Sequence, residues 1–450
     1  MSESLKDTLR DLAEQAVQQV AADDRPLDFF AGAIAKYDTT RDQVITELPA
    51  FEDARTALGG LQVVQERYAP SPVWEPVWER LALQFVYGFL DNLSEPTFDT
   101  DIFETSWEAF WKELLKPEWT WLGLANLLNF RSESMLLDLG DGITIRGRSF
   151  EELAGMGWSE RHLERLEREW FEGGGSSSHV ILTEHRLPKT PENLVLSDTS
   201  GHEKAARVLL ALRLHKDGDI GMGRMWHLRP ASFNLGLGGG VATGYPPPSF
   251  TPGSEYTLDE RELLVVHDLY GTLLRHEDVR ERAPVNVNLA LRSFSDIYER
   301  RDPYRNDTRL VDAITATEAL LGTEDEVTFR IAFRVAMILS SDDDERVHIF
   351  ERMKGYYDTR SSVVHGGSRL YKRNGQLRDR PRRHLENQQD LRDFVRRLLV
   401  AFLNLRLASK HPFDRDFFEK RLDSALLHNE TRSELRVAMG FEDSDSSDSL

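Results

Sequence analysis

The chain has 450 residues, 40% of them hydrophobic, with nine tryptophans and no cysteine; it can build two or three cored domains, and disulfides, thiolate metal sites and cysteine nucleophiles are excluded. Acidic side chains number 76 against 56 basic ones, a formal charge of −20, and only 11 of the basic residues are lysine. Acid excess, scarce lysine and absent cysteine read as adaptation to a salty cytoplasm, where net charge maintains solubility despite screening.

Residues 1–115 read as helices. Leu5, Leu9, Leu12, Ala16 and Val20 recur at helical spacing, and a second apolar stretch runs from Leu81 to Leu90. The opening MSESLKDTLRDLAEQ is charged and has no apolar core of a secretory signal, and nowhere do about 18 apolar residues run together. The expected location is therefore the cytoplasm, with no membrane contact. Trp74, Trp78, Trp107, Trp111, Trp119 and Trp121 crowd this region; core packing explains them better than an aromatic cage.

Residues 116–280 read as a mixed α/β region. Met135–Gly147 holds two extended runs around Asp141-Gly142, a hairpin signal. Phe150–Phe171 is polar and helical in pattern, and Gly173–Ser178 (GGGSSS) reads as a loop. Strands are expected at His179–His185 and Ile220–Leu228. Lys204–His215 fits a helix or a buried strand equally. Pro230–Pro252, rich in Gly and Pro, reads as a long ordered loop. A helix is expected over Thr257–Arg275, with Thr257 as N-cap and Glu260 completing a capping box.

The last third reads as five antiparallel helices, at 285–300, 308–322, 325–340, 344–365 and 386–408, broken by Asp302-Pro303, Gly322, Asp342–Asp344 and Gly366-Gly367. The end, FEDSDSSDSL, reads as an acidic tail without a core, residues 441–450. Residues 281–410 carry 24 basic and 20 acidic side chains, the rest 32 and 56. A locally positive region in an acidic chain points to where an anion binds.

In the fourth of these helices the apolar stripe is Phe350, Met353, Tyr357 and Val364, and Arg360 falls beside it. In the second, Leu310, Ile314 and Leu321 form a stripe with Glu318 at its edge. A charge at the edge of an apolar face needs a partner or an interface. Position alone favours a structural Arg360–Glu318 bridge. His365 lies five residues after Arg360, about 140° around the helix at about 100° per residue. One rigid helix cannot bring the two together; a frayed end, or two copies of the helix face to face, can.

The runs DTRLVDAITATEALLG, FRIAFRVAMIL and YYDTRSSVVHGG resemble the ApeA-like branch of the HEPN superfamily (higher eukaryotes and prokaryotes nucleotide-binding), over roughly 285–408. LDLGDGITIRG looks like the upstream part of the same proteins. The resemblance implies a helical bundle with an Arg-x4–6-His motif, acting as a metal-independent endoribonuclease at a symmetric dimer cleft. Arg360 and His365 match the two named positions. The residue after the arginine is often Asn, Asp or His in the family and is Ser361 here.

These residue types suit RNA cleavage. A histidine of near-neutral pKa can move the 2′-hydroxyl or 5′-oxygen proton, and an arginine can hold the phosphate as charge builds. Tyr357, one turn before Arg360, can stack a base, although core packing explains it better. Arg369–His384 (RLYKRNGQLRDRPRRH) adds Arg369, Lys372, Arg373, Arg378, Arg380, Arg382 and Arg383 against one Asp379, with a turn at Asn374-Gly375. It reads as a phosphate-tracking loop or, equally, as a solvated one.

Gly236–Gly240 lacks the G-K-[ST] ending of a P-loop, and the histidines at 179, 202, 215 and 227 have no metal-ligand spacing. No metal and no cofactor are expected. The expected architecture is multidomain: helical residues 1–115 and a mixed α/β middle region 116–280, which together sense an unknown trigger, and an all-α HEPN-type bundle at 285–410. The expected function is RNA cleavage by a homodimer, in antiviral defence or stress response. The alternative is a non-catalytic HEPN module that binds RNA, a nucleotide or a partner protein.

Overall fold

A computed structural model of the chain describes residues 2–23, 25, 27, 39–68, 79–134, 136–147, 179–190, 200–228, 242–243, 256–277, 285–299, 306–322, 327–364, 379–408, 413 and 416–441. They are mostly helical, with a small antiparallel sheet in the middle of the chain. Two compact units result. One comprises Met1–Asn126, Met135–Ala205 and Gly223–Tyr245; the other comprises Leu127–Ser134, Ala206–Met222 and Pro246–Leu450.

The first unit opens with α1 (Ser2–Ala22), α2 (Thr39–Thr46), α3 (Pro49–Gly59), α4 (Gln62–Arg67), α5 (Glu79–Asp91) and α6 (Thr100–Leu115). The 3.6-residue period holds in α1: Leu5, Leu9, Leu12, Ala16 and Val20 are all buried. They join Leu81, Phe85, Phe89, Phe103 and Phe110 in one apolar cluster. Asp99 caps α6, accepting from the amides of Asp101 and Ile102. Trp107 is in the core, stacked on Trp111 at 5.4 Å, so packing accounts for this pair; Trp74 and Trp78 lie outside the described residues.

The sheet contains β1 (Glu118–Leu128), β3 (Leu136–Gly140), β4 (Ile143–Gly147), β5 (His179–Pro188), β6 (Gly221–Leu228) and β7 (Ala242–Thr243), in the order β3-β4-β5-β1-β6-β7. The expected hairpin is β3–β4. Its turn takes positive φ at Gly140, Asp141 and Gly142, and a Cβ on Gly142 would lie 2.6 Å from the Glu184 carbonyl oxygen. The expected strands at His179 and Ile220 are β5 and β6. The ambiguous Lys204 segment belongs to a helix, α7 (Ser200–His215). The expected helix at 150–171, the loop at 173–178 and all of 230–252 except β7 lie outside the described residues.

In the second unit, β2 (Phe130–Ser132) pairs in parallel with β8 (Tyr256–Leu258). This corrects the expected helix start. Thr257 belongs to the strand, its neighbours engaged in the ladder, and α8 runs Glu260–Glu277. The cap is Asp259, whose Oδ1 accepts from the amides of Arg261 and Glu262, while Glu262 returns a carboxylate oxygen to the Asp259 amide. The capping box exists two residues later than the sequence pattern suggests.

The remaining helices are α9 (Val287–Glu299), α10 (Asn306–Leu321), α11 (Val327–Leu339), α12 (Asp343–Val364), α13 (Asp379–Glu386) and α14 (Gln389–Ala408). The five expected helices are present, with α13 as an addition. It makes the second half of the expected basic loop helical. Helix α14 contacts α8, α9, α10 and α11, burying Leu391, Val395, Leu398 and Phe402. Each such side chain contributes about 1.5–3 kcal/mol.

Helical structure continues beyond Ala408: a π-helical segment, Phe417–Asp423, then α15 (Ser424–Leu427) and α16 (Asn429–Ala438). Arg334 of α11, 1% exposed, is saturated by both carboxylate oxygens of Asp423, at 2.7 Å each, and by the Leu321 carbonyl at 2.7 Å. Arg432 and Arg436 donate to the carbonyls of Met337, Ile338 and Ser340. Three arginines thus supply partners to the carbonyl ends of α10 and α11, which no amide of those helices can reach.

Candidate functional site

Helix α12 begins after an acidic turn in which Asp342 accepts from the amide of Glu345. Its core face differs from the expected stripe. Ile349, Met353, Tyr356, Tyr357 and Thr359 are buried. Val364 is half exposed because it stands at the helix end, away from that face. Phe350 turns to a surface groove, where it meets Phe329 edge-on at 5.6 Å beside Val347 and Lys354. Helix α10 buries Leu310, Ile314 and Leu321 as expected.

Arg360 and Glu318 come together across α12 and α10. An Arg360 Nη lies 3.6 Å from a Glu318 carboxylate oxygen, and each side chain is 28% exposed. That separation is an ion pair but too long for a good hydrogen bond. Arg360 Nε is buried and has no hydrogen-bond partner among the described residues. Tyr357 is buried one turn earlier. Burial first, and the Glu318 carboxylate second, push its hydroxyl well above the ordinary tyrosine range. Its buried ring lies beside the pair and is not placed to stack on a base in solvent. Ser361 is exposed next to Arg360.

The other expected residues divide into two groups. His365, Arg369, Lys372, Arg373 and Arg378 lie outside the described residues. Arg380, Arg382 and Arg383 share α13, with Arg382 and Arg383 exposed. Arg382 lies 3.9 Å from Glu386.

One residue of this region has a role that its spacing does not reveal. His384, at the end of the expected loop, is 8% exposed and reaches back to α12, its Nδ1 lying 2.9 Å from Thr359 Oγ1. The available signal was Gly355 in the middle of a helix, where glycine is costly without a packing reason.

Chemically, the site offers a partly exposed guanidinium that, among the described residues, is loosely held by one carboxylate with donor capacity left over. An anion with several oxygens would complete it. Among the described residues no group of three or more His, Asp and Glu side chains could hold a metal ion, and no helix is long and apolar enough to cross a membrane. Set against models of protein families, characterised proteins and solved structures, the chain matches none.

Proposed function

We propose that the chain is an endoribonuclease built on a HEPN-type bundle, with Arg360 and His365 as its catalytic pair. The observation that carries this reading is the loose partnering of Arg360 among the described residues: a 3.6 Å ion pair and a buried Nε with no acceptor among them. Arg334 in the same unit is held far more tightly, with its contacts to Asp423 and Leu321 at 2.7 Å. The resemblance of YYDTRSSVVHGG to the HEPN motif supplies the chemistry.

In that chemistry the RNA brings its own nucleophile. The 2′-oxygen attacks the adjacent phosphorus as its proton passes to a base. The bond from phosphorus to the 5′-oxygen breaks as that oxygen gains a proton, leaving a 2′,3′-cyclic phosphate and a free 5′-hydroxyl. His365 serves the proton transfers. Arg360 holds the non-bridging oxygens as negative charge accumulates, with Glu318 orienting it from the other side. A homodimer would bring Arg360 of one copy near His365 of the other; a frayed helix end before Gly366-Gly367 would instead let both act within one copy.

A second reading, a non-catalytic module that binds RNA, a nucleotide or a partner protein, draws on Glu318. Its carboxylate competes with phosphate for the same guanidinium. RNA degradation by the full chain decides between the two. Cleavage by the native protein, lost in Arg360→Ala and in His365→Ala, supports the enzyme; binding without cleavage supports the module.

A further inference from the structure

Helix α13 has an unusual construction. It reads DRPRRHLE, and among its described side chains only His384 is buried. Eight residues of such polarity are far too few to hold a helix in water without tertiary anchoring. The imidazole is therefore the anchor, and what receives it is on α12.

The receiving slot is made by Gly355, Tyr356 and Thr359. A Cβ on Gly355 would stand 2.5 Å from His384 Cε1 and 2.8 Å from Nε2, closer than any side chain can come. The imidazole thus occupies the space that a side chain at 355 would fill. The Tyr356 ring closes one side, its centroid 5.0 Å from that of the imidazole. Thr359 Oγ1 lies 2.9 Å from the Gly355 carbonyl oxygen and 2.9 Å from His384 Nδ1. The carbonyl can only accept, so the single hydroxyl proton of Thr359 goes to it. Both short contacts are then satisfied when His384 Nδ1 carries a proton and donates to Oγ1. The end of α13 is held as well: the Tyr356 hydroxyl donates to the Asn387 carbonyl at 3.1 Å, and Arg352 pairs with Asp390.

We propose that His384 is a positioning residue that seats the basic helix α13 on the Arg360 helix and thereby sets where Arg382 and Arg383 present their charge to an RNA backbone. The RNA clause rests on the function proposed above; the seat does not. Thr359, which holds the imidazole, is the immediate neighbour of Arg360, so one turn of α12 fixes both the candidate phosphate ligand and the basic helix.

The test uses the full chain. Amide exchange followed by mass spectrometry is read for residues 379–388 in the native protein and in Gly355→Ala, Thr359→Val, His384→Asn and His384→Leu, alongside the salt dependence of binding to a single-stranded RNA. Gly355→Ala, Thr359→Val and His384→Leu should raise exchange in α13 by about tenfold or more while α10 and α11 keep theirs. His384→Asn, which retains a donor near the Nδ1 position, should restore most of the protection. RNA affinity should fall in step with lost protection, with a shallower salt slope. Unchanged α13 exchange in Gly355→Ala and His384→Leu would overturn the seat. Raised exchange with unaltered RNA affinity and slope would overturn its role in presenting the arginines. A native protein that binds no RNA would instead remove the function proposed above, with the exchange data still deciding whether His384 is the anchor.

Discussion

Arg360 and Glu318 face each other across two helices at 3.6 Å, whereas Arg334 and Asp423 in the same unit close to 2.7 Å through both carboxylate oxygens. The first pair is loose and partly wet; the second is saturated. An exposed or part-exposed ion pair of poor geometry contributes about 0–1 kcal/mol. Arg360→Ala should therefore shift the urea midpoint of the chain very little. Under the proposed function it should lower single-turnover RNA cleavage by about 10² or more, the usual cost of removing a group that stabilises transition-state charge. A loss of several kcal/mol of stability with cleavage retained would return Arg360 to a structural role.

Arg334 should behave in the opposite way. Its side chain is 1% exposed, and its removal strands the Asp423 carboxylate and the Leu321 carbonyl. Asp423 is 34% exposed and regains water, so the cost stays below the roughly 3–5 kcal/mol of breaking a fully buried pair, with the stranded Leu321 carbonyl adding about 1–3 kcal/mol. Arg334→Ala should lower the urea midpoint strongly, and Asp423→Asn somewhat less, because a partner for the guanidinium remains. Equal stability of Arg334→Ala and the native chain would show that the helices after Ala408 are not held through this contact.

The residues whose role depends on period were legible. Leu5 to Val20 on α1, the Asp141-Gly142 hairpin and the edge positions of Arg360 and Glu318 all follow from spacing along one element. What spacing could not supply are contacts between distant elements. Thr257 has the side chain of an N-cap, but a parallel strand claims its backbone and passes the cap to Asp259. His384 looks like the end of a solvated basic stretch, and only the empty position at Gly355, 29 residues earlier, makes a place for it. Phe417, Phe418, Leu422 and Leu426 do carry an apolar pattern. The polar ties to α11 are nevertheless the Arg334–Asp423 pair and the bonds of Arg432 and Arg436 to its carbonyl end, which leave no periodic trace.

If RNA supplies the nucleophile, cleavage should survive chelators and stop when the scissile position lacks its 2′-hydroxyl. A substrate with a single 2′-deoxy residue in a preferred site, followed by gel electrophoresis with and without EDTA, reads both. Activity lost with EDTA and restored by a divalent ion would replace the Arg360–His365 chemistry with metal-assisted hydrolysis.

The helical spacing of Arg360 and His365 makes a dimer an expectation of the mechanism. Light scattering of the full chain in high salt should give about twice 51.6 kDa at tens of micromolar. A strict monomer that still cleaves RNA would rule out the shared cleft and require both residues to act within one copy.

The basic residues and the catalytic pair should separate in a binding-against-turnover experiment. Arg382 and Arg383 are exposed on α13, Arg380 shares that helix, and Arg378 precedes it. Exposed arginines suit phosphate contacts that add nearly independently, since each neutralised phosphate releases its own counterions. Changing Arg378, Arg380, Arg382 and Arg383 together to glutamine should weaken RNA binding. Each lost contact should take about one unit off the slope of log affinity against log salt. The single-turnover rate at saturating RNA should stay close to native, because a saturated complex no longer reports how tightly it formed. His365→Ala should do the reverse, leaving affinity near native and lowering the saturated rate by about 10² or more. The measurement has to span low to high salt, because at molar salt the counterion contribution nearly vanishes and a real difference in phosphate contacts would be invisible. If neutralising the four arginines abolished the saturated rate while affinity held, α13 would be part of the catalytic centre itself. Arg382 and Arg383 would then have to be counted with Arg360 as groups that touch the reacting phosphate.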